Sequence, residues 1–190
     1  MNGMKLKCVA NVLSGVYLRP SPTGTIAYLQ VRDLQMQIPE KTTDKVDFVP
    51  KLRTYLLQKG DLLFAGKGNN YLCKIFDLDI HAVPSTTLFI IRPTSDLISS
   101  EYLNVLLNIP QIAAKIKSFQ VGSGMPLIHK STLEELEIAI PDKKTQSLIV
   151  EIAHLQQREQ QILDVIAEKR TQITDQILLK CLMINENDSH

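Results

Sequence analysis

The chain has 190 residues, a net charge of +1, 44% hydrophobic and 22% charged residues. Those values exclude wholesale disorder and collagen-like repeats, and the absence of an apolar run of about 18 residues argues against a membrane-spanning helix. The length predicts one domain with at most an appendage. Residues 1–7 lack the apolar stretch of a secretion signal. Cys8, Cys73 and Cys181 are odd in number and far apart. They fit neither a disulfide framework nor a metal site and point to a reducing cytoplasm.

In chain order, the turn Pro20-Ser21-Pro22-Thr23-Gly24 precedes a strand at 25–31. Residues 61–65 read as a strand between Gly60 and Gly66, and 74–76 as a shorter one. Residues 87–92 read as a buried strand stopped by Pro93. Ser99-Ser100-Glu101 caps a helix that runs through Asn108 and ends before Pro110; a second helix follows from Gln111 to about Phe119. Residues 136–140 make a last short strand. This is a mixed α+β domain, placed at 1–141.

After Pro141 the character changes. From Lys143 to Leu182 there is neither Gly nor Pro, and Asp142 is a natural N-cap. About 40 residues give a helix of roughly 60 Å, too long to lie on a domain of this size. Its apolar residues recur at steps of four and three: Leu148, Ile152, Leu155, Ile162, Ile166 and Ile173, with Glu159 and Lys169 at the two missing positions. That is a heptad seam, and it predicts dimerisation through 143–182. Ile149, Leu163, Val165 and Ile177 widen the stripe, which leaves open a single amphipathic helix packed on its own domain. The expected organisation is a globular domain at 1–141, a long coiled-coil dimerisation helix at 142–183 and a disordered tail at 184–190. Met1 and the polar tail read as natural chain ends.

Charge is informative in its distribution. Residues 1–141 carry 15 Lys and Arg against 12 Asp and Glu, whereas 142–182 carry six of each. Acids avoid three windows: 1–32, 62–76 with Lys67 and Lys74, and 102–133 with Lys115, Lys117 and Lys130. Brought to one face, they would form a patch suited to phosphates; scattered, they are ordinary surface charges.

Catalytic constellations are missing. In Gly60-Asp61-Leu62-Leu63-Phe64-Ala65-Gly66-Lys67-Gly68 the phosphate-loop spacing is one residue too long, and Gly68 replaces the required Ser or Thr. There is no nucleophile elbow, no histidine pair at zinc spacing, no Glu-x-Lys and no dinucleotide fingerprint. Asp77, Asp79, Glu134, Glu135 and Glu137 read as solvated faces. No catalytic, metal or cofactor site is expected.

Several stretches in fixed order resemble the specificity subunits of type I restriction–modification systems. Residues 6–34 are similar to the opening of a target-recognition domain, with a strand that ends in Val31-Arg32-Asp33-Leu34. Gly60-Asp61-Leu62-Leu63, followed by Gly66 and Gly68, resembles that family's central hairpin. Residues 122–128 and 133–141 resemble its later turn and closing strand, and Gln146 stands where the family opens its long helix. Two departures stand out. The family's Pro-Pro-x-x-Glu-Gln is here Pro141-Asp142-Lys143-Lys144-Thr145-Gln146. The family also carries two recognition domains and two long helices, whereas this chain has one of each, as a half-subunit would.

The resemblance implies a non-catalytic, cytoplasmic subunit that reads double-stranded DNA and carries methyltransferase subunits, with a restriction subunit joining the complex. A half-subunit would rebuild the arrangement as a homodimer reading a two-part palindromic target. Candidate DNA contacts are basic or amide side chains near Gly- or Pro-marked loops: Arg19; Lys67, Asn69, Asn70 and Tyr71; Lys115 and Lys117; Ser123 and Lys130. The competing reading is a globular head on a coiled-coil stalk whose partner is protein.

Overall fold

Period-two burial dictates the first layer. In β3 (Ile26–Leu29), Ile26 and Tyr28 face one hydrophobic cluster and Leu29 the other. In the computed structural model, residues 3–35, 43–66, 72–119 and 127–187 are described. The elements before β3 are β1 (Gly3–Lys5), a 3-10 turn at Leu6–Cys8 and β2 (Ala10–Ser14). After β3 come α1 (Val31–Gln35), β4 (Lys45–Val46), a 3-10 helix at Pro50–Tyr55, β5 (Leu62–Ala65), β6 (Cys73–Ile75), β7 (Ala82–Pro84) and β8 (Leu88–Pro93). The chain continues with α2 (Ser100–Asn108), α3 (Pro110–Ser118), α4 (Lys130–Glu134), β9 (Glu137–Ala139) and α5 (Lys143–Asn187). Among the described residues no helix is long and apolar enough to cross a membrane.

Three small sheets result. β2, β8, β5 and β6 form an antiparallel four-stranded sheet in that order; β4-β3-β7 is mixed, with β3 parallel to β7; β1 pairs with β9. Every residue of β5 is buried, as a central strand covered on both faces requires. Leu63, Ala65, Leu88 and Ile90 from the large sheet pack with Leu29, Ala82 and Phe76. Ile26, Tyr28, Val46, Leu52 and Val83 form a second cluster on the other face of β3.

The strand expected through Val31-Arg32-Asp33-Leu34 is a helical turn instead. β3 stops at Leu29, and the buried Asp33 reaches back three residues to accept the Gln30 amide proton at 2.7 Å. That is one half of a capping box, and it outweighs the β preference of Val31. α2 begins as expected, with the Ser99 hydroxyl accepting from Tyr102 N at 3.1 Å. α3 starts at Pro110 rather than after it, because Pro suits a first helical position.

The chain divides into two units, Met1–Ile149 and Val150–His190. The first turns of α5 therefore belong to the first unit, and Gln146 is the reason. Its side chain is buried. Its Oε1 accepts from Ser99 N at 3.0 Å, and its Nε2 donates to Leu97 O at 2.7 Å and Pro141 O at 2.8 Å. Asp142 caps the same turn, accepting from Thr145 N and Thr145 Oγ1, both at 3.0 Å. The Thr145 backbone hydrogen bond holds the Asp142 carboxyl below its ordinary range. Asp142 and Thr145 thus close the helix entry where the resembling family writes Pro and Glu. Replacing Gln146 with Leu leaves one amide and two carbonyls without that partner. We expect a loss of about 2 kcal/mol in denaturant unfolding, with no change in the helical content of the folded chain.

α5 runs four residues past the expected end at 183, so 184–187 are helical where a tail was expected; 188–190 lie outside the described residues. Its 45 residues span about 68 Å. All side chains from 154 to 180 are exposed. The seam residues Leu148, Ile152, Leu155, Ile162, Ile166 and Ile173 are among the exposed large hydrophobics.

Candidate nucleic-acid interface

Strand register gathers the loops. β2 ends at Ser14, opposite Phe89; β5 ends at Ala65, opposite Leu88; β6 begins at Cys73, opposite Phe64. All three lie at one end of the large sheet. Gly15 N donates to Leu88 O, Gly66 N to Thr87 O and Ile128 N to Gly66 O, each at 3.0 Å. The segments leaving β2, entering β8, leaving β5 and arriving at α4 are therefore stitched together there. Gly66 is required at this junction: a Cβ would lie 2.2 Å from the Phe89 ring.

Four of the nine residues picked from sequence are described. Arg19 is exposed on the connection after β2. Lys115 and Lys117 are exposed on α3, either side of the buried Ile116. Lys130 opens α4, two residues beyond Ile128, with its ammonium 3.3 Å from Glu134 one turn on. Lys67, Asn69, Asn70 and Tyr71 fall on the connection between β5 and β6, and Ser123 between α3 and Leu127. All five lie outside the described residues. The Gly66–Ile128 hydrogen bond nevertheless joins the residue that enters the first of these segments to one just after the second.

Lys115 corrects one expectation. Its sequence neighbourhood is free of acids, but its spatial neighbourhood is not. An open groove of about 470 Å³ is lined by Lys115, Phe119, Ser131, Thr132, Glu135 and Glu137, among others. The pairing of β1 with β9 puts the acids there. It also brings their counter-charges: Lys5 Nζ lies 2.6 Å from Glu135 Oε2, and Lys7 Nζ bonds Glu135 Oε1. Those two ammonium groups pull the Glu135 carboxyl down to about 2.

Two features escaped the sequence reading. Tyr17 is 76% exposed, beside Arg19 on the β2 connection. Val16 and Leu18 on either side pack partly into the core. Tyr28 pins the same stretch, its hydroxyl donating to Val16 O at 2.9 Å and accepting from Leu18 N at 3.3 Å. In sequence, Val16-Tyr17-Leu18 looks like three core residues; only the pinning shows that the middle one points out. The second is the role of Asp61. It is buried, and it accepts from Arg92 Nε at 2.7 Å, from an Arg92 terminal nitrogen at 2.6 Å and from Gln58 N at 2.8 Å. Gly60 has φ of +88° in the tight turn before it. The Gly60–Gly66 motif is thus a strand entered by a turn and locked by an ion pair, not a phosphate cradle.

The family model for the type I restriction modification DNA specificity domain matches residues 14–177. The chain belongs to that family. No curated protein matches it. Among solved structures, this specificity domain is similar to the S subunit of a type I restriction-modification system from M. genitalium. The identity is 15%, with 81% of this chain and 38% of that one covered and a TM-score of 0.55. It is also similar to the HsdS subunit from Thermoanaerobacter tengcongensis, at 19% identity, 85% and 38% coverage and a TM-score of 0.62. A chain from a structure on complex assembly in the type I R-M system gives 20%, 95%, 43% and 0.61. The specificity domain spans less than half the length of each of these chains. They establish the fold: a mixed helix-and-sheet domain followed by one long helix.

Proposed function

We propose that this chain is the non-catalytic, DNA-reading part of a type I restriction–modification complex. It acts as a homodimer held through 143–182 that presents one reading surface twice and carries methyltransferase and restriction subunits. The observation that supports this most is the stitched loop end of the large sheet. It joins the segment leaving β2, Gly66 at the end of β5 and Ile128 before α4, while the Gln146 anchor sits beyond Pro93 at the opposite end. Arg19, Lys67, Asn69, Asn70, Tyr71 and Ser123 are assigned to base and near-base contacts, with Tyr17 added to them. Lys115, Lys117 and Lys130, on the flanking helices, are assigned to phosphates. The two-fold pair reads a palindromic, interrupted target.

Selection from a randomised duplex pool tests this reading. Wild type should recover a two-part palindrome with an unread spacer, and affinity should fall steeply with salt. Asn70→Ala should lose about 1–3 kcal/mol of discrimination at one base pair of each half. Lys115→Ala should weaken all sequences alike and reduce the salt slope by about one charge. Identical behaviour of the two variants removes the assignment of roles. Salt-independent association, or no sequence recovered, favours a head-and-stalk module with a protein partner.

A further inference from the structure

Ser85-Thr86-Thr87, the turn between β7 and β8, stands where the stitched segments meet. Leu88 N donates to Ser85 O at 2.9 Å and closes the turn, and Ser85 N donates to Leu29 O at 2.8 Å and ties it to β3. On one side, Val16 pairs with Ser85 in a parallel bridge, and Val16 N donates to Pro84 O at 3.0 Å. On the other, Gly66 N donates to Thr87 O at 3.0 Å. The segment leaving β2 comes so close that a Cβ on Gly15 would lie 2.1 Å from Ser85 O.

The three hydroxyls of the turn are not equivalent. Ser85 is buried, and its Oγ lies 2.7 Å from Thr87 Oγ1, so each serves the other. Thr86, at the tip, is exposed, and among the described residues its side chain has no hydrogen-bond partner. The two segments run parallel through the Val16–Ser85 bridge, so the next residues, Tyr17 and Thr86, leave it side by side. Tyr17 is 76% exposed, while Tyr28 holds the residues before and after it. Two exposed side chains on backbone held this firmly are pre-organised for a ligand, because little freedom is left to lose on binding.

Their chemistry selects among bases. Tyr17 offers a ring and a hydroxyl, Thr86 a hydroxyl and a methyl, and neither carries a charge or an amide. In the major groove, guanine is read by Arg or Lys, adenine by Asn or Gln, and cytosine by an acid. Thymine alone sets an acceptor, O4, beside an apolar group, the C5-methyl. We infer that Tyr17 and Thr86 form an uncharged reading pair for one thymine in each half of the target. The Thr86 hydroxyl donates to O4, and the Thr86 methyl and the Tyr17 ring cover the C5-methyl. This rests on the DNA-reading proposal above and adds a reading residue, Thr86, and the base that it and Tyr17 select.

Replacing thymine with deoxyuridine removes only the methyl, so it probes this contact from the DNA side. Thymines of the duplex recovered by the selection above are replaced one at a time, and binding of the full-length chain is measured. For wild type, one thymine in each half should respond, with affinity falling about fourfold, the worth of one buried methyl. Tyr17→Ala and Thr86→Ser each remove an apolar partner; each should bind the thymine duplex more weakly and shrink the response below about twofold. Thr86→Val keeps the methyl and should keep the response while losing the affinity that the hydroxyl supplies. All three variants should retain the wild-type melting temperature and salt slope, because both side chains are exposed and uncharged. Wild-type binding that ignores deoxyuridine at every thymine overturns the assignment, and so does a full response in both Tyr17→Ala and Thr86→Ser. If the selection recovers no sequence, the DNA-reading proposal itself fails, and the pair falls with it.

Discussion

Replacing Asp61 with Ala should unfold the globular unit about 3 kcal/mol more easily, toward the lower end of what breaking a buried ion pair costs. Arg92 keeps 23% of its side chain in water, so its charge is not wholly stranded when the carboxylate goes. The rest of the loss has an identified source. The Gln58 amide, which donates to Asp61 at 2.8 Å, loses its acceptor, and the guanidinium keeps only Leu56 O at 3.0 Å. Because a domain's whole stability is about 5–15 kcal/mol, the change should lower the melting temperature by about 6–12 °C. Arg92→Met in the same chain should cost less than the sum of the two single changes, since it removes the charge that the first substitution orphaned. Additive single effects below about 1 kcal/mol would show that the pair does not hold β5 to β8.

That ion pair also marks where sequence reading stops. The strand at 62–65 was legible from a run of apolar residues between glycines, and the capped helix at 100–108 from Ser99 and the following Pro110. The pairing of Asp61 with Arg92, 31 residues away, was not legible, because it depends on Leu62 standing opposite Ile91. Residues 31–35 were misread for a related reason: Val31 favours a strand, but Asp33 needs the Gln30 amide, and a local hydrogen bond decides. The acid-free window around Lys115 was real along the chain and false in space, since Glu135 at the end of α4 and Glu137 at the start of β9 line the same groove. Pattern along the chain carries burial and capping; it does not carry which loops meet. The convergence of the β2, β5 and α4 connections rests on three backbone hydrogen bonds from Gly15, Gly66 and Ile128. Two of those donors are glycines, whose positions hint at a turn without saying what they touch.

The largest expected effect belongs to the long helix. Ile162→Glu with Ile166→Glu should convert a dimer into a monomer, raising the dissociation constant at least about a thousandfold. Both side chains are exposed in the single chain, at 53% and 43%, so the folded monomer loses little. In the proposed dimer, four isoleucines of the seam are replaced by four carboxylates, which removes apolar burial and adds like-charge repulsion. Light scattering reads the mass directly. DNA binding gives the functional consequence. Two heads of the proposed dimer would engage two half-sites with the second contact intramolecular, which would raise affinity by about 10²–10⁴ over a single head. The double variant should forfeit that factor on a two-part target yet bind an isolated half-site as wild type does. Loss on both targets alike would place the isoleucines in head folding rather than in the seam. No loss on either would mean that one head alone carries recognition, and that the stalk serves other subunits.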